Sequence, residues 1–196
     1  MIKMSKLKKA SAFGVCLVSV IVGLVYDSED RSSGIIISEN GARETGDEEG
    51  CRTNPYQCAA KEWTFGIGAA TTGGANVIIG KTYTNEEIAD QYAKDLRKVS
   101  KCIIDYYPYN DMNQNQIDAL GSLIFNIGCQ GSRFFLDRES GRFKKTQLYK
   151  AAIDKDFIRM CNTFPNYSRV NGKVHKSILK RRLRERDLCL SPVNKV

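Results

Sequence analysis

The segment EGCRTNPYQCAAKEWTFGIG, residues 49–68, places one carboxylate, Glu49, two positions before Cys51 and nine before Cys58. Thr64 follows six residues later, with Gly66-Ile67-Gly68 close behind. An acid at a helix end, facing a threonine on a nearby strand, has the parts for cleaving a glycosidic bond. The carboxylic acid protonates the leaving oxygen while the hydroxyl positions a water. The two thiols flank that acid in a stretch so short that they must be able to meet. Other chemistries lack their components. The single histidine, His175, lies in NGKVHKS, a surface-turn composition, and no GxSxG, P-loop or HExxH pattern is present. With one histidine and no CxxC pair, the usual zinc spacing is missing as well, so neither metal nor cofactor is expected.

These residues need elements to hold them. Helical signals before Glu49 are weak, because Gly41 and Gly46 interrupt them. Residues 63–68 read as a short strand with turns. TNEEIADQYAKDLRKVSKCIIDYY opens with Thr84 as N-cap and Glu87 three residues on, a capping box. Its Ile88, Tyr92, Leu96, Val99 and Ile103 then recur at helical spacing. QNQIDALGSLIFNIG predicts a second, more buried helix ending at Gly128, and further helices are expected near 146–153, 155–162 and 177–190. The pattern is α+β: a small lobe with a short sheet, then a larger, mostly helical lobe, with a cleft between them.

At 196 residues the chain suits one compact domain with an appendage. The appendage is N-terminal. Lys3, Lys6, Lys8 and Lys9 precede an apolar run over residues 10–26, and an acidic, polar exit follows. That order puts the N-terminus in the cytoplasm and the rest across a membrane. No Ala-x-Ala-like site follows Leu24-Val25-Tyr26, so an uncleaved span is expected rather than a cleaved signal. As a helix the run reaches roughly 25 Å against a hydrocarbon core of about 30 Å. Ser11, Gly14, Ser19 and Gly23 weaken its apolarity further, so it is a marginal span. The expected division is a membrane segment over 1–26, a linker over 27–40 and a catalytic domain over 41–196. The net charge of +8 is segregated between the leading lysines and a basic stretch at 176–186. Such charge suits an anionic wall polymer, nucleic acid or anionic lipid. An exported chain whose basic helix lacks interleaved aromatics argues against nucleic acid. Seven cysteines point to disulfides in an oxidising compartment, and the odd number leaves one over or exchanging partners.

Glu49-Gly50-x-Arg52, Tyr56-x-Cys58 and Thr64-x-Gly66-x-Gly68 together resemble the catalytic signature of the phage-type lysozymes, glycoside hydrolase family 24. The family interval runs from Glu to Asp or Cys nine residues on, then to Thr six later, and it selects Glu49 over Glu48. FNIG at 125–128 resembles the family's Phe-Asn-x-Gly, and Arg181, Arg182 and Glu185 resemble its late Arg-Arg-x-x-Glu helix, so the likeness covers roughly residues 42–190. Two positions depart from the pattern: Ala69 stands where many members have histidine, and Lys61 where a glycine is common. The resemblance implies a lysozyme-like fold acting as a monomer on peptidoglycan, hydrolysing the β-1,4 bond between N-acetylmuramic acid and N-acetylglucosamine. Glu49 would be general acid, Cys58 would occupy the usual aspartate position, and Thr64 would hold the water. Asn126, Arg181 and Arg182 would support the site, the arginines either as partners of Glu49 or as a solvated basic face.

If Cys58 is catalytic, a Cys51–Cys58 disulfide disables it and constrains the segment carrying Glu49. Closing so short a loop contributes about 2.5 kcal/mol, and a short bridge is open to thiol exchange. Cys16, buried in the bilayer until the marginal span escapes, would then attack Cys51 and liberate Cys58. This resembles the signal-arrest-release endolysins, held at the host inner membrane on its periplasmic side and then released to the periplasm. Cys102, Cys129, Cys161 and Cys189 would form two structural bridges, with three pairings open. The competing readings are a lytic transglycosylase on the same polymer and a non-catalytic wall-binding lysis module.

Overall fold

Apolar side chains at 18, 21, 22 and 25 lie on one stripe of a nine-residue helix, α1 (Val18–Tyr26), and the stripe faces inward. Ile21, Val22 and Val25 are fully buried in the hydrophobic core, each worth about 1.5–3 kcal/mol of burial. The computed structural model describes residues 15–58 and 61–192. Residues 1–14, with the leading lysines and the start of the apolar run, lie outside the described residues. A membrane-spanning helix over 10–26 is therefore not what the described residues show: none of their helices is long and apolar enough to cross a membrane. The part of the run that is described is a core element instead. Its polar and small residues, Ser19 and Gly23, fall on the other side of the helix from the fully buried Ile21, Val22 and Val25.

The segment read as a linker is also built into the fold. It contains one helical turn, α2 (Glu29–Ser32), capped by Ser28. Arg31 pairs with Asp90 at 2.7 Å, and its carbonyl accepts from Arg97 at 2.6 Å. Ile37 is buried, and Tyr26 donates to its carbonyl at 2.8 Å. Ser38 caps the next helix, α3 (Glu39–Glu49), through its side-chain oxygen. Asp118 accepts from both the Ser38 amide (2.8 Å) and hydroxyl (2.5 Å) and from Gln114 (2.8 Å). Burial nevertheless pushes the Asp118 carboxyl up, against those hydrogen bonds.

A small antiparallel sheet follows: β1 (Arg52–Gln57), β2 (Trp63–Gly66) and β3 (Ala69–Ala70), in that spatial order, with Tyr56 opposite Thr64 and Thr64 opposite Ala70. The long helix α4 (Asn85–Tyr106) begins with the capping box of Thr84 and Glu87 and buries Ile88, Tyr92, Leu96, Val99 and Ile103. Helix α5 (Gln114–Arg133) is capped by Asn113 and kinks at Gly128 (φ 78°). A hairpin comes next, β4 (Phe134–Asp137) with β5 (Arg142–Lys145). Helices α6 (Gln147–Ile153) and α7 (Phe157–Asn162), a second hairpin of β6 (Arg169–Val170) with β7 (Lys173–Val174), and helix α8 (Lys176–Leu190) complete the helical lobe. This is the α+β, two-lobed arrangement that the patterning implies. Disulfides join Cys102 to Cys129, tying α4 to α5, and Cys161 to Cys189, tying α7 to α8. Each closes a loop long enough to contribute about 3.5 kcal/mol through the unfolded chain.

Helix α1 packs against α3 and α4, and Gly46 makes the α3 contact close. A Cβ on Gly46 would lie 2.6 Å from Val18 Cγ1. Gly46→Val should therefore overpack this seam, costing about 1–3 kcal/mol, which a melting curve of the full chain reads as a fall in Tm of roughly 3–10 °C. An unchanged Tm would mean that Val18 is not seated there.

Candidate active site

Glu49 is the last residue of α3, and Gly50 ends the helix with its amide donating to Gly46 O at 2.8 Å. The carboxylate turns inward and is four-fifths buried, 19% exposed. Two parts of the fold converge on it. Arg181 of α8 donates to Glu49 Oε1 at 2.5 Å, and Gly68, just before β3, packs so close that a Cβ there would sit 3.2 Å from Oε2. Glu49 and residues 68–70 then form one wall of a cleft of about 530 Å³. The opposite wall comes from Asp95, Lys98 and Val99 of α4 and residues 124–129 of α5. Lys98 donates to Gly73 O at 2.9 Å, joining α4 to the turn after β3. Asn126 is exposed on the cleft wall, two residues before the kink.

The cation beside Glu49 is itself held from behind. Arg181 Nε donates to Glu185 at 3.0 Å, and its Nη2 reaches the Ser122 carbonyl of α5 at 3.3 Å. Ser122 in turn donates to Glu185 at 2.7 Å. Burial pulls the Arg181 guanidinium down, but Glu49 and Glu185 outweigh it and leave the group above its ordinary value. Arg182 is fully buried on the other side of Glu185 and donates to it through Nη2 at 3.0 Å. Its Nε stands 2.9 Å from Oε2, close enough for an ion pair but out of line for a hydrogen bond. Burial brings Arg182 down to about 10 and pushes the Glu185 carboxyl up. The two arginines thus have different duties: Arg181 touches Glu49, whereas Arg182 braces Glu185. Neither belongs to a solvated face.

Thr64, on β2, and Cys58, in the turn that follows β1, are beside the cleft rather than among its lining residues. Thr64 is buried, with its hydroxyl 3.3 Å from the Glu62 carbonyl. Directly opposed residues of antiparallel strands share a face, so Thr64 is flanked by Tyr56 and by Ala70, which lines the cleft. Burial pushes the Tyr56 hydroxyl up, Arg52 opposes that from 4.3 Å over the ring, and Glu49 and Cys58 add to the rise electrostatically. Of the three candidate catalytic residues, Thr64 stands directly opposite Tyr56 across the strand pair. Cys58 is half-buried at a tight turn, where its amide donates to Glu62 O and its carbonyl accepts from Lys61. Lys61 adopts φ 63°, a left-handed backbone that explains why glycine suits this position.

Cys16 is bonded to Cys51, with Cα atoms 5.3 Å apart, and Cys58 stands outside the three disulfides formed by the other six cysteines. A hollow of about 400 Å³ lined by Cys16, Cys51 and residues 52–56 adjoins this bond and shares Tyr56 with the site. The sequence motif includes Tyr56 without assigning it a role, and it does not single out Ser122, Asp95 or Lys98. The spacing of Arg181 and Glu185, four apart on a helix, was the available signal for the network. Asp95 and Lys98 look in sequence like any solvated edge of an amphipathic helix.

The family model of phage lysozyme matches residues 46–185. The SAR-endolysin of Haemophilus phage HP1 is 36% identical over 142 residues, 72% of this chain and 74% of that protein. The crystal structure of the active form of P1 phage endolysin Lyz aligns with a TM-score of 0.80 at 30% identity, covering 90% of this chain and 94% of that one. The secreted inactive form of the same P1 protein aligns at 0.57 and 32% identity, over 79% of this chain and 95% of that one.

Arg181→Met should leave Glu185 and Glu49 facing each other without their shared cation, which costs about 3–5 kcal/mol. Arg184, a neighbour on α8 that pairs with Glu48, is half-exposed, and Arg184→Met should cost no more than about 1 kcal/mol. Urea titrations of the two variants check the contrast. Equal losses would contradict the bracing role of Arg181.

Proposed function

The chain belongs to the phage lysozyme family, and we propose that it is an endolysin exported in an inactive, tethered form and activated by disulfide exchange. Its reaction is hydrolysis of the β-1,4 bond between N-acetylmuramic acid and N-acetylglucosamine of host peptidoglycan. Glu49 is the general acid, delivering its proton to the leaving glycosidic oxygen. Thr64 and Cys58, beside the cleft, act on the attacking water and on the positive charge developing at the sugar. Arg181 orients the Glu49 carboxylate and Asn126 contacts the sugar chain from the α5 wall. The observation that carries the reading is Glu49 lodged between Arg181 and Gly68 at the wall of the cleft.

In the tethered form, residues 1–26 lie in the host inner membrane, 27–40 link them to the lysozyme domain, and 41–196 stand in the periplasm. Cys51 is then bonded to Cys58. On release, the Cys16 thiolate attacks the Cys51 sulfur, the Cys51–Cys58 bond breaks, and Cys58 departs as a thiolate. No oxidant is consumed. Closing the longer loop, of sequence separation 35 in place of the short one, costs about 1 kcal/mol more chain entropy. Burial of Ile21, Val22 and Val25 in the core outweighs that cost and drives the exchange forward. The Cys16–Cys51 bond and the better match to the active P1 form support assigning this fold to the released enzyme.

Glu49→Gln should reduce the release of reducing ends from purified peptidoglycan by about 10²–10⁴-fold. Activity independent of Glu49 would sink the assignment in favour of a wall-binding module, and 1,6-anhydro products from the wild type would make the enzyme a transglycosylase.

A further inference from the structure

We propose that the β4–β5 hairpin is a second membrane contact, one that docks the folded enzyme on an anionic lipid surface independently of its N-terminal run. The cross-strand register sorts the hairpin into two faces. On one face Phe134 is opposite Lys145 and Leu136 is opposite Phe143. Phe134 is anchored in the lobe, edge-on to Tyr149 and beside the Arg133 guanidinium. Beyond that anchor, the same face projects Leu136 and Phe143 into solvent, 54% and 62% exposed. The other face adds Phe135, also exposed, beside Lys144.

An apolar pair held out on a short hairpin is a surface built to be covered, and the charge around it says by what. Residues 133–145 hold five cations, Arg133, Arg138, Arg142, Lys144 and Lys145, against two carboxylates, Asp137 and Glu139. The β6–β7 hairpin repeats the composition: Val170 and Val174 are exposed, and residues 169–176 carry three cations and no carboxylate. Their roots meet. Thr146, just after β5, donates to Arg133 O and Ser132 O, and the side chain of Tyr167, just before β6, meets Thr146. Together these two short stretches hold eight cations against two carboxylates. A hydrated anionic polymer would satisfy the cations but has no continuous apolar interior to take up Leu136 and Phe143. A bilayer with anionic headgroups takes both, cations at the phosphates and apolar tips beneath them.

Vesicle co-sedimentation of the full-length, disulfide-bonded protein tests this. The probes are phosphatidylethanolamine–phosphatidylglycerol vesicles, phosphatidylcholine vesicles and purified sacculi. Leu136→Ser/Phe143→Ser should weaken binding to the phosphatidylglycerol vesicles at least about tenfold, with lysis of soluble wall fragments unchanged. Because the N-terminal run is identical in both proteins, the difference belongs to the hairpin. Arg138→Glu/Arg142→Glu, which alters exposed side chains only, should give the same loss if the apolar variant misfolds. Wild-type affinity in the charge variant, or in a folded apolar variant, would overturn the proposal. So would a loss confined to sacculi, which would make the hairpin a wall contact. Lysis is not the readout, so this outcome is separable from the endolysin assignment.

Discussion

A sulfur atom holds one disulfide at a time, and Cys51 sits where that restriction has consequences on both sides. It follows Glu49 by two residues and opens the sheet that carries Thr64, with Cys58 in the turn after β1. Bonded to Cys16, it fastens the N-terminal run to the edge of the active site. Bonded to Cys58, as we propose for the tethered form, it would occupy the Cys58 sulfur. The two states exclude each other, so in that proposal the partner taken by Cys16 decides whether Cys58 is held in a bond.

What holds Cys16 at Cys51 is ordinary core packing: Ile21, Val22 and Val25 are spaced for burial in this fold. Helix α3 meets α1 with Gly46; Arg31 and Ser38 fix the connecting segment to α4 and α5, and Tyr26 bonds back to that segment at Ile37. The active-site acid shares this scaffold, since α3 packs on α1 along one side and ends in Glu49. Arg181, braced by Ser122 and Glu185, then ties that helix end to the helical lobe.

Much of this was legible in the residues, and the parts that were not share a physical reason. The Thr84–Glu87 capping box and the stripe from Ile88 to Ile103 specify α4 locally, so the helix stands where the pattern puts it. The interval from Glu49 to Thr64 identifies an acid and a hydroxyl, but only the sheet register sets Tyr56 opposite Thr64. Arg181 and Arg182 are indistinguishable in sequence because burial depends on which face of α8 meets α5. The destination of residues 15–26 is the clearest case. Apolarity marks the segment for exclusion from water, but lipid and protein core satisfy that equally, and only the complementary surface on α3 and α4 selects the core. The pairing of Cys102 with Cys129 and of Cys161 with Cys189 is tertiary in the same sense.

The account depends most directly on the partner of Cys51, and Cys16→Ser in the full-length protein isolates it. Peptide mapping without reductant, with wall hydrolysis assayed on the same sample, would be the measurement. The account predicts that Cys51 is found joined to Cys58, that hydrolysis is absent, and that mild reductant restores it. Full hydrolysis by Cys16→Ser before any reductant, with Cys51 and Cys58 not joined, would contradict it.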